Sequence, residues 1–172
     1  MNYKAKLHSI KAFVFDYDGV LSDGYILVAD QKIVMRSGNV KDGYAIQYAI
    51  KKGYNVAIIS GGSGDSISAR MEMLGIKDVF IGSHEKKKIF QNYIKQKGLK
   101  AEEVLYMGDD IPDYDVMIEA GVATCPSDAV EEIKSVADYI SHKGGGQGCV
   151  RDVIEQVMRL HNQWFHEDGK AW

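Results

Sequence analysis

Short apolar runs without alternation recur along the chain: Ala12 to Phe15, Val56 to Ile59, Val79 to Ile81, Val104 to Met107 and Val122 to Thr124. Such runs predict strands covered on both faces, as in a parallel sheet. Between them apolar residues fall three or four apart. Tyr44, Ile46, Tyr48, Ala49 and Ile50 precede Gly53; Ile67, Met71 and Leu74 precede Gly75; Ile89, Phe90, Tyr93 and Ile94 precede Gly98. That spacing predicts helices, each stopped by a glycine that adopts the left-handed conformation without a Cβ penalty. Further helices are expected from Asp113 to Ala120, from Ala129 to Val136 with Ser127 and Asp128 as candidate caps, and from Val150 to about Asn162. The alternation predicts an α/β fold, a Rossmann-like central parallel sheet flanked by helices, in a single domain over 1–172.

One stretch breaks the alternation. Tyr25 to Val28 and Ile33 to Arg36 flank the polar turn Ala29-Asp30-Gln31-Lys32, which predicts a β-hairpin flap over about 24–37. A two-stranded flap cannot bury its own apolar side chains, so the domain or a second subunit is expected to cover them. A second irregularity is the glycine-rich segment over about 143–149, expected to be mobile until something orders it. Trp164, Phe165 and Trp172 are candidates for packing against a neighbouring subunit.

Composition narrows the function classes. With 172 residues, 45% hydrophobic and 26% charged, the chain has enough apolar material for one core and is unlike a disordered sequence. A formal charge of -3 lacks the basic footprint of a general nucleic-acid binder. Cys125 and Cys149 follow no metal-binding spacing and suit reduced thiols. The run from Ala12 to Phe15 is too short for a secretory core and no stretch approaches a membrane span, so a cytoplasmic protein with no membrane partner is expected.

Ligands of parallel sheets gather beyond the carboxyl ends of the strands. There the chain places Asp16-Tyr17-Asp18-Gly19, then Ser60-Gly61-Gly62, then Lys86, then Gly108-Asp109-Asp110-Ile111-Pro112-Asp113. Several carboxylates on one rim repel each other unless a cation sits among them. All-oxygen ligation by Asp16, Asp109 and a backbone carbonyl, with Asp18 as the third metal residue, suits Mg²⁺, and Asp110 and Asp113 are expected behind the ligands. Lys86 would add positive charge and Ser60, with Gly61, would hold phosphoryl oxygens. Asp16 could then attack phosphorus, and Asp18 could protonate the leaving oxygen and later activate water. Taken singly, a D-x-D is more often a turn, and Lys86-Lys87-Lys88 a solvated helix face. Their order on successive strand ends makes those readings a run of coincidences.

These four segments resemble the motifs of the haloacid dehalogenase (HAD) superfamily of phosphatases, and the likeness runs over almost the whole chain. Asp18 two residues after Asp16 is similar to the phosphatase pattern rather than the dehalogenase one. No insertion is large enough for a cap domain. Asp23-Gly24 before the hairpin, Asn39-Val40-Lys41-Asp42-Gly43-Tyr44, Arg70 before Leu74-Gly75-Ile76, and Gly144-Gly145-Gly146-Gln147-Gly148 with Arg151 are similar to the capless 3-deoxy-D-manno-octulosonate 8-phosphate (Kdo 8-phosphate) phosphatases. The resemblance implies an aspartyl-phosphate mechanism with Mg²⁺ and a phosphorylated sugar acid held by Asn39, Lys41, Asp42, Gly43, Gly61, Arg70 and Arg151. It also implies a homotetramer in which hairpins associate and neighbouring subunits close each site. These phosphatases commonly carry an arginine where this chain has Gly62, so one substrate-side cation is expected to be missing.

Three other readings compete. A nine-carbon ulosonic acid 9-phosphate, of sialic acid or deaminated sialic acid type, is the nearest alternative substrate. A phosphoacceptor receiver domain uses similar residues, but with its acidic pair early and its acceptor aspartate on a middle strand. A non-catalytic assembly domain would have no need of the full set Asp16, Asp18, Ser60, Lys86 and Asp109.

Overall fold

The computed structural model describes residues 2–29 and 33–170. In chain order its elements are α1 (Tyr3–Lys6), β1 (Ala12–Phe15), β2 (Leu27–Val28), β3 (Val34–Met35), α2 (Val40–Lys51), β4 (Asn55–Ile59), α3 (Asp65–Met73), β5 (Asp78–Phe80), α4 (Lys86–Lys97), β6 (Val104–Met107), α5 (Tyr114–Glu119), β7 (Val122–Cys125), α6 (Glu131–Lys134), β8 (Tyr139–Ile140) and α7 (Cys149–Leu160). Among the described residues six parallel strands form one sheet in the order β5-β4-β1-β6-β7-β8.

Side chains alternate across each strand, and the two sets feed two separate cores. Phe13, Phe15, Val56, Ile58, Leu105 and Met107 meet residues of α2, α3 and α7 on one face. Ala12, Val14, Ala57, Ile59, Val104 and Tyr106 meet Phe90, Tyr93, Val116, Met117 and Ile133 of α4, α5 and α6 on the other. This explains why the strands read as continuous apolar runs. From β1 the chain moves outward through β4 to β5, then returns to β6 on the opposite side of β1. That reversal opens a crevice at the carboxyl ends of the central strands.

The expected strands and helices are present, with local differences. The short edge strand β8 carried no apolar run long enough to predict it; it pairs through Thr124 with Tyr139 and Cys125 with Ile140. The helix expected from Ala129 to Val136 shrinks to α6, and Asp128 does not cap it. Asp128 Oδ1 instead accepts the Gly145 N–H at 2.9 Å. Among the described residues the hairpin ladder pairs Leu27 with Met35 and Val28 with Val34, and the Ala29 N–H donates to the Ile33 carbonyl at 2.9 Å. Its expected turn at 30–32 lies outside the described residues, as does Trp172. Tyr25 is 81% exposed and Leu27 63%. Trp164, in contrast, is buried within its own chain against Tyr44 and Tyr48 of α2. Among the described residues no helix is long and apolar enough to cross a membrane.

Glycine is required where the glycine-rich segment meets the loop after β1. The Gly146 N–H donates to the Val20 carbonyl at 2.9 Å. A Cβ on Gly145 would stand 2.0 Å from the Gly19 carbonyl oxygen. The segment thus lies backbone against backbone on the loop that follows the first strand.

Candidate active site

The carboxyl end of β1 stops where the Asp16 N–H donates to the Met107 carbonyl at 3.0 Å. The chain then turns tightly, with the Tyr17 carbonyl accepting from the N–H groups of Val20, Leu21 and Ser22. Gly19 sits at φ +83°, and a Cβ there would fall 2.0 Å from Asp109 Oδ2, so only glycine lets the two loops approach. The turn leaves Asp16 at the rim, its Oδ1 accepting the Tyr17 N–H at 2.7 Å.

Ser60 follows β4 and its hydroxyl accepts the Gly62 N–H at 3.1 Å. Lys86 is the first residue of α4, where the helix dipole disfavours a cation. It is nonetheless buried, because its ammonium lies 3.0 Å from Asp16 Oδ2 and 2.8 Å from Asp113 Oδ1. Asp110 and Asp113 form a reciprocal cap on the turn after β6. Asp113, fully buried, also receives the Tyr106 hydroxyl on Oδ1 and the Asp109 N–H on Oδ2 at 3.2 Å.

The electrostatics are unbalanced. Oxygens of Asp16, Asp109 and Asp113 lie within 4.8 Å of one another, and among the described residues the ammonium paired with them is that of Lys86. Burial, then the charge of Asp113, pushes the Asp16 carboxyl up to about 7 against the pull of Lys86. Burial, then Asp16, Asp113 and Asp110, pushes Asp109 up to about 8. For Lys86, burial opposes the charge, but Asp16 and Asp113 outweigh it and hold the ammonium above its ordinary value. Asp109 Oδ1 is buried without a hydrogen-bond partner among the described residues. Asp113 is fully buried behind Lys86, Tyr106 and the Asp109 N–H, so the carboxylates of this set with exposure to the cleft are Asp16 and Asp109. A divalent cation with oxygen ligands, Mg²⁺ above all, fits this donor set.

These groups line a cleft of about 410 Å³ that brings together Asp16, Asp18, Ser60, Gly61, Lys86, Asp109, Asp110 and Asp113. Ser83 and His84, which the sequence patterns did not single out, also line it. A larger hollow of about 840 Å³ lies at the opposite strand ends. Among the described residues its one carboxylate is Glu103, already paired with Lys11, and so the cleft is the candidate site.

The other expected substrate residues are elsewhere. Asn39 caps α2, accepting the Lys41 N–H, and its amide donates to the Gly146 carbonyl at 3.0 Å. Asp42 is buried and accepts the Arg151 N–H at 2.7 Å; burial raises its carboxyl to about 6 even though that bond opposes the rise. Gly43 leaves room for Arg70, whose Nη2 would be 2.7 Å from a Cβ at that position. Lys41 and Arg151 face a separate groove of about 550 Å³, and the Arg151 guanidinium lies over the Tyr44 and Trp164 rings. In this chain, then, Asn39 and Asp42 fasten the glycine-rich segment and α7 to α2. The space at Gly62 is not empty of charge either. Arg36, arriving from the hairpin, donates from Nε to Asp18 Oδ1 at 2.7 Å.

The sequence profile of the haloacid dehalogenase-like hydrolases matches residues 32–121. The chain is 34% identical over 166 residues to the 3-deoxy-D-manno-octulosonate 8-phosphate phosphatase KdsC of Salmonella typhi, covering 96% of this chain and 88% of that protein. The KdsC protein of Escherichia coli K12 is also 34% identical, over 97% of this chain and 89% of that one. Among solved structures, the Moraxella catarrhalis 3-deoxy-D-manno-octulosonate 8-phosphate phosphatase, in complex with magnesium, phosphate and Kdo, superposes with TM-score 0.92 at 33% identity, covering 95% of both chains. A cobalt-bound phosphatase from Haemophilus influenzae gives 0.91 at 29% identity, over 97% of this chain and 99% of that one.

Proposed function

The chain belongs to the haloacid dehalogenase-like hydrolases, and on that premise we propose that it is a Mg²⁺-dependent phosphomonoesterase that removes phosphate from Kdo 8-phosphate. What supports this reading is one observation: a nucleophile, an acid, a hydroxyl, an ammonium and an under-neutralised carboxylate from four separate strand ends line a single cleft.

Asp16, Asp109 and the main-chain carbonyl of Asp18 would hold the metal. When bound, it supplies positive charge that lets an anionic carboxylate approach a phosphate dianion. The Ser60 hydroxyl and nearby N–H groups bind phosphoryl oxygens, while Lys86 favours the ionised form of Asp16 and aims it. A carboxylate oxygen of Asp16 forms a bond to phosphorus as the bond to the sugar oxygen breaks. Asp18 delivers the proton that this leaving oxygen needs. Water then attacks the aspartyl phosphate, Asp18 takes its proton, and inorganic phosphate departs with Asp16 restored.

The exposed apolar residues Tyr25, Ile26, Leu27, Val28 and Ile33 support assembly through the hairpin, for which we propose a homotetramer. Two unpaired, buried cysteines suit a cytoplasmic enzyme. Phosphate release should be measured from Kdo 8-phosphate and from ulosonic acid 9-phosphates, with Mg²⁺ and with chelator. The 8-phosphate should give the highest kcat/KM, and chelator should abolish turnover. Chelator-insensitive turnover, or a tenfold preference for a 9-phosphate, would overturn the proposal.

A further inference from the structure

Arg36 stands apart from the rest of the hairpin. It follows β3 directly, yet its side chain is only 6% exposed, while its strand neighbour Met35 remains open to solvent. Three contacts explain the burial. Nε donates to Asp18 Oδ1 at 2.7 Å, Nη1 reaches the Ser63 carbonyl at 3.4 Å, and Nη2 lies against Gly62.

Gly62 is what makes the arrangement possible. A Cβ at that position would stand 2.6 Å from Asp18 Oδ2, 3.1 Å from Arg36 Nη2 and 3.3 Å from Ser60 Oγ. Any side chain there would push apart the carboxylate and the guanidinium. The two oxygens of Asp18 are also treated differently. Oδ1 accepts from Arg36 and, at 3.3 Å, from the Ser22 hydroxyl. Oδ2 accepts no hydrogen bond among the described residues and belongs to a carboxylate that lines the cleft.

The geometry points to Arg36 as a positioning residue: its charge-assisted hydrogen bond holds Oδ1 of Asp18, which turns Oδ2 toward the cleft where the leaving group would lie. The inference rests on the phosphatase reading, in which Asp18 is the acid and base. It goes beyond that reading by giving the hairpin a part in proton transfer. Lysine could supply charge but not an Nε donor on a planar fork that is simultaneously anchored at Ser63.

The test compares Arg36→Ala and Arg36→Lys with the parent on two substrates. A sugar phosphate leaves as an alkoxide and needs a proton; p-nitrophenyl phosphate leaves as a stable phenolate and does not. We expect kcat on the sugar phosphate to fall roughly 10- to 100-fold in both variants, a part of the range that general acids contribute. KM should stay within about threefold of the parent. The pre-steady-state burst of nitrophenolate should keep the parent's rate. Adding Arg36→Ala to Asp18→Asn should cost no further rate, because an arginine that acts only through Asp18 has nothing left to position. A merely structural arginine would slow both substrates together and add its loss to that of Asp18→Asn; either result, or an unchanged kcat, overturns the inference while the phosphatase reading stands. A parent inactive on every phosphomonoester would instead overturn that reading, and this inference with it.

Discussion

Replacing Asp109 by asparagine should make the metal-free protein more stable while removing its response to Mg²⁺. In the folded chain the Asp109 carboxyl is raised from 3.8 to about 8, chiefly by burial and then by the charges of Asp16, Asp113 and Asp110. A group whose folded value lies above its unfolded one lowers stability increasingly as pH climbs from the unfolded value to the folded one. At pH 7 the gap above 3.8 is about three pH units, or ~4 kcal/mol at about 1.4 kcal/mol per unit. Solvent in the open cleft screens part of this, leaving ~2 kcal/mol as the working figure. For a chain of this size that corresponds to a rise of roughly 4–8 °C in Tm. Thermal unfolding in chelator, followed between pH 5 and pH 9, measures it. The advantage of Asp109→Asn should be small at pH 5, grow until about pH 8 and then level off. Titrated Mg²⁺ should raise the parent's Tm and leave the variant's unchanged. A variant no more stable than the parent at pH 8, or one whose advantage ignores pH, would refute the claim that repulsion among these carboxylates awaits a cation.

Asp16→Asn should retain the parent's circular dichroism and abolish phosphate release, since the amide is a poor nucleophile; turnover above about a hundredth of the parent's would count against covalent catalysis. Gly145→Ala should lower Tm by an amount equivalent to about 1–3 kcal/mol, because its methyl would meet the Gly19 carbonyl, and proteolysis near Lys143 should accelerate. Leu27→Asp, placed on the exposed flap, should shift light scattering towards smaller species with little change in far-ultraviolet signal; an unchanged mass would remove the hairpin from the interface.

How far the chain could be read in advance depended on whether the cause was local. Gly98 ends α4 at φ +65°, Gly53 follows α2 at φ +90° and Gly75 follows α3 at φ +75°, each a stop visible in the residue itself. The central strands were legible because double-sided burial leaves no room for polar residues. The edge strand β8 was not, since two residues carry no pattern. At the rim, Asp16, Ser60 and Asp109 were legible because each stands one or two residues beyond the end of a strand. Asn39 and Asp42 looked like substrate contacts, yet their partners in this chain are Gly146 and Arg151, more than a hundred positions away. Arg36 was invisible for a related reason: nothing in an apolar hairpin announces that one side chain turns inward to an aspartate from an earlier loop.

The seating of Gly145 and Gly146 on Gly19 to Asp23 joins two loops more than 120 positions apart in the chain. β1 must likewise wait for β6 before its second ladder can form. A nascent chain therefore carries its reactive aspartates long before anything holds them in register, and such non-local closure is slow. Hydrolytic competence should emerge abruptly once the glycine-rich segment is made and seated, and a fragment lacking α7 should leave phosphate esters untouched.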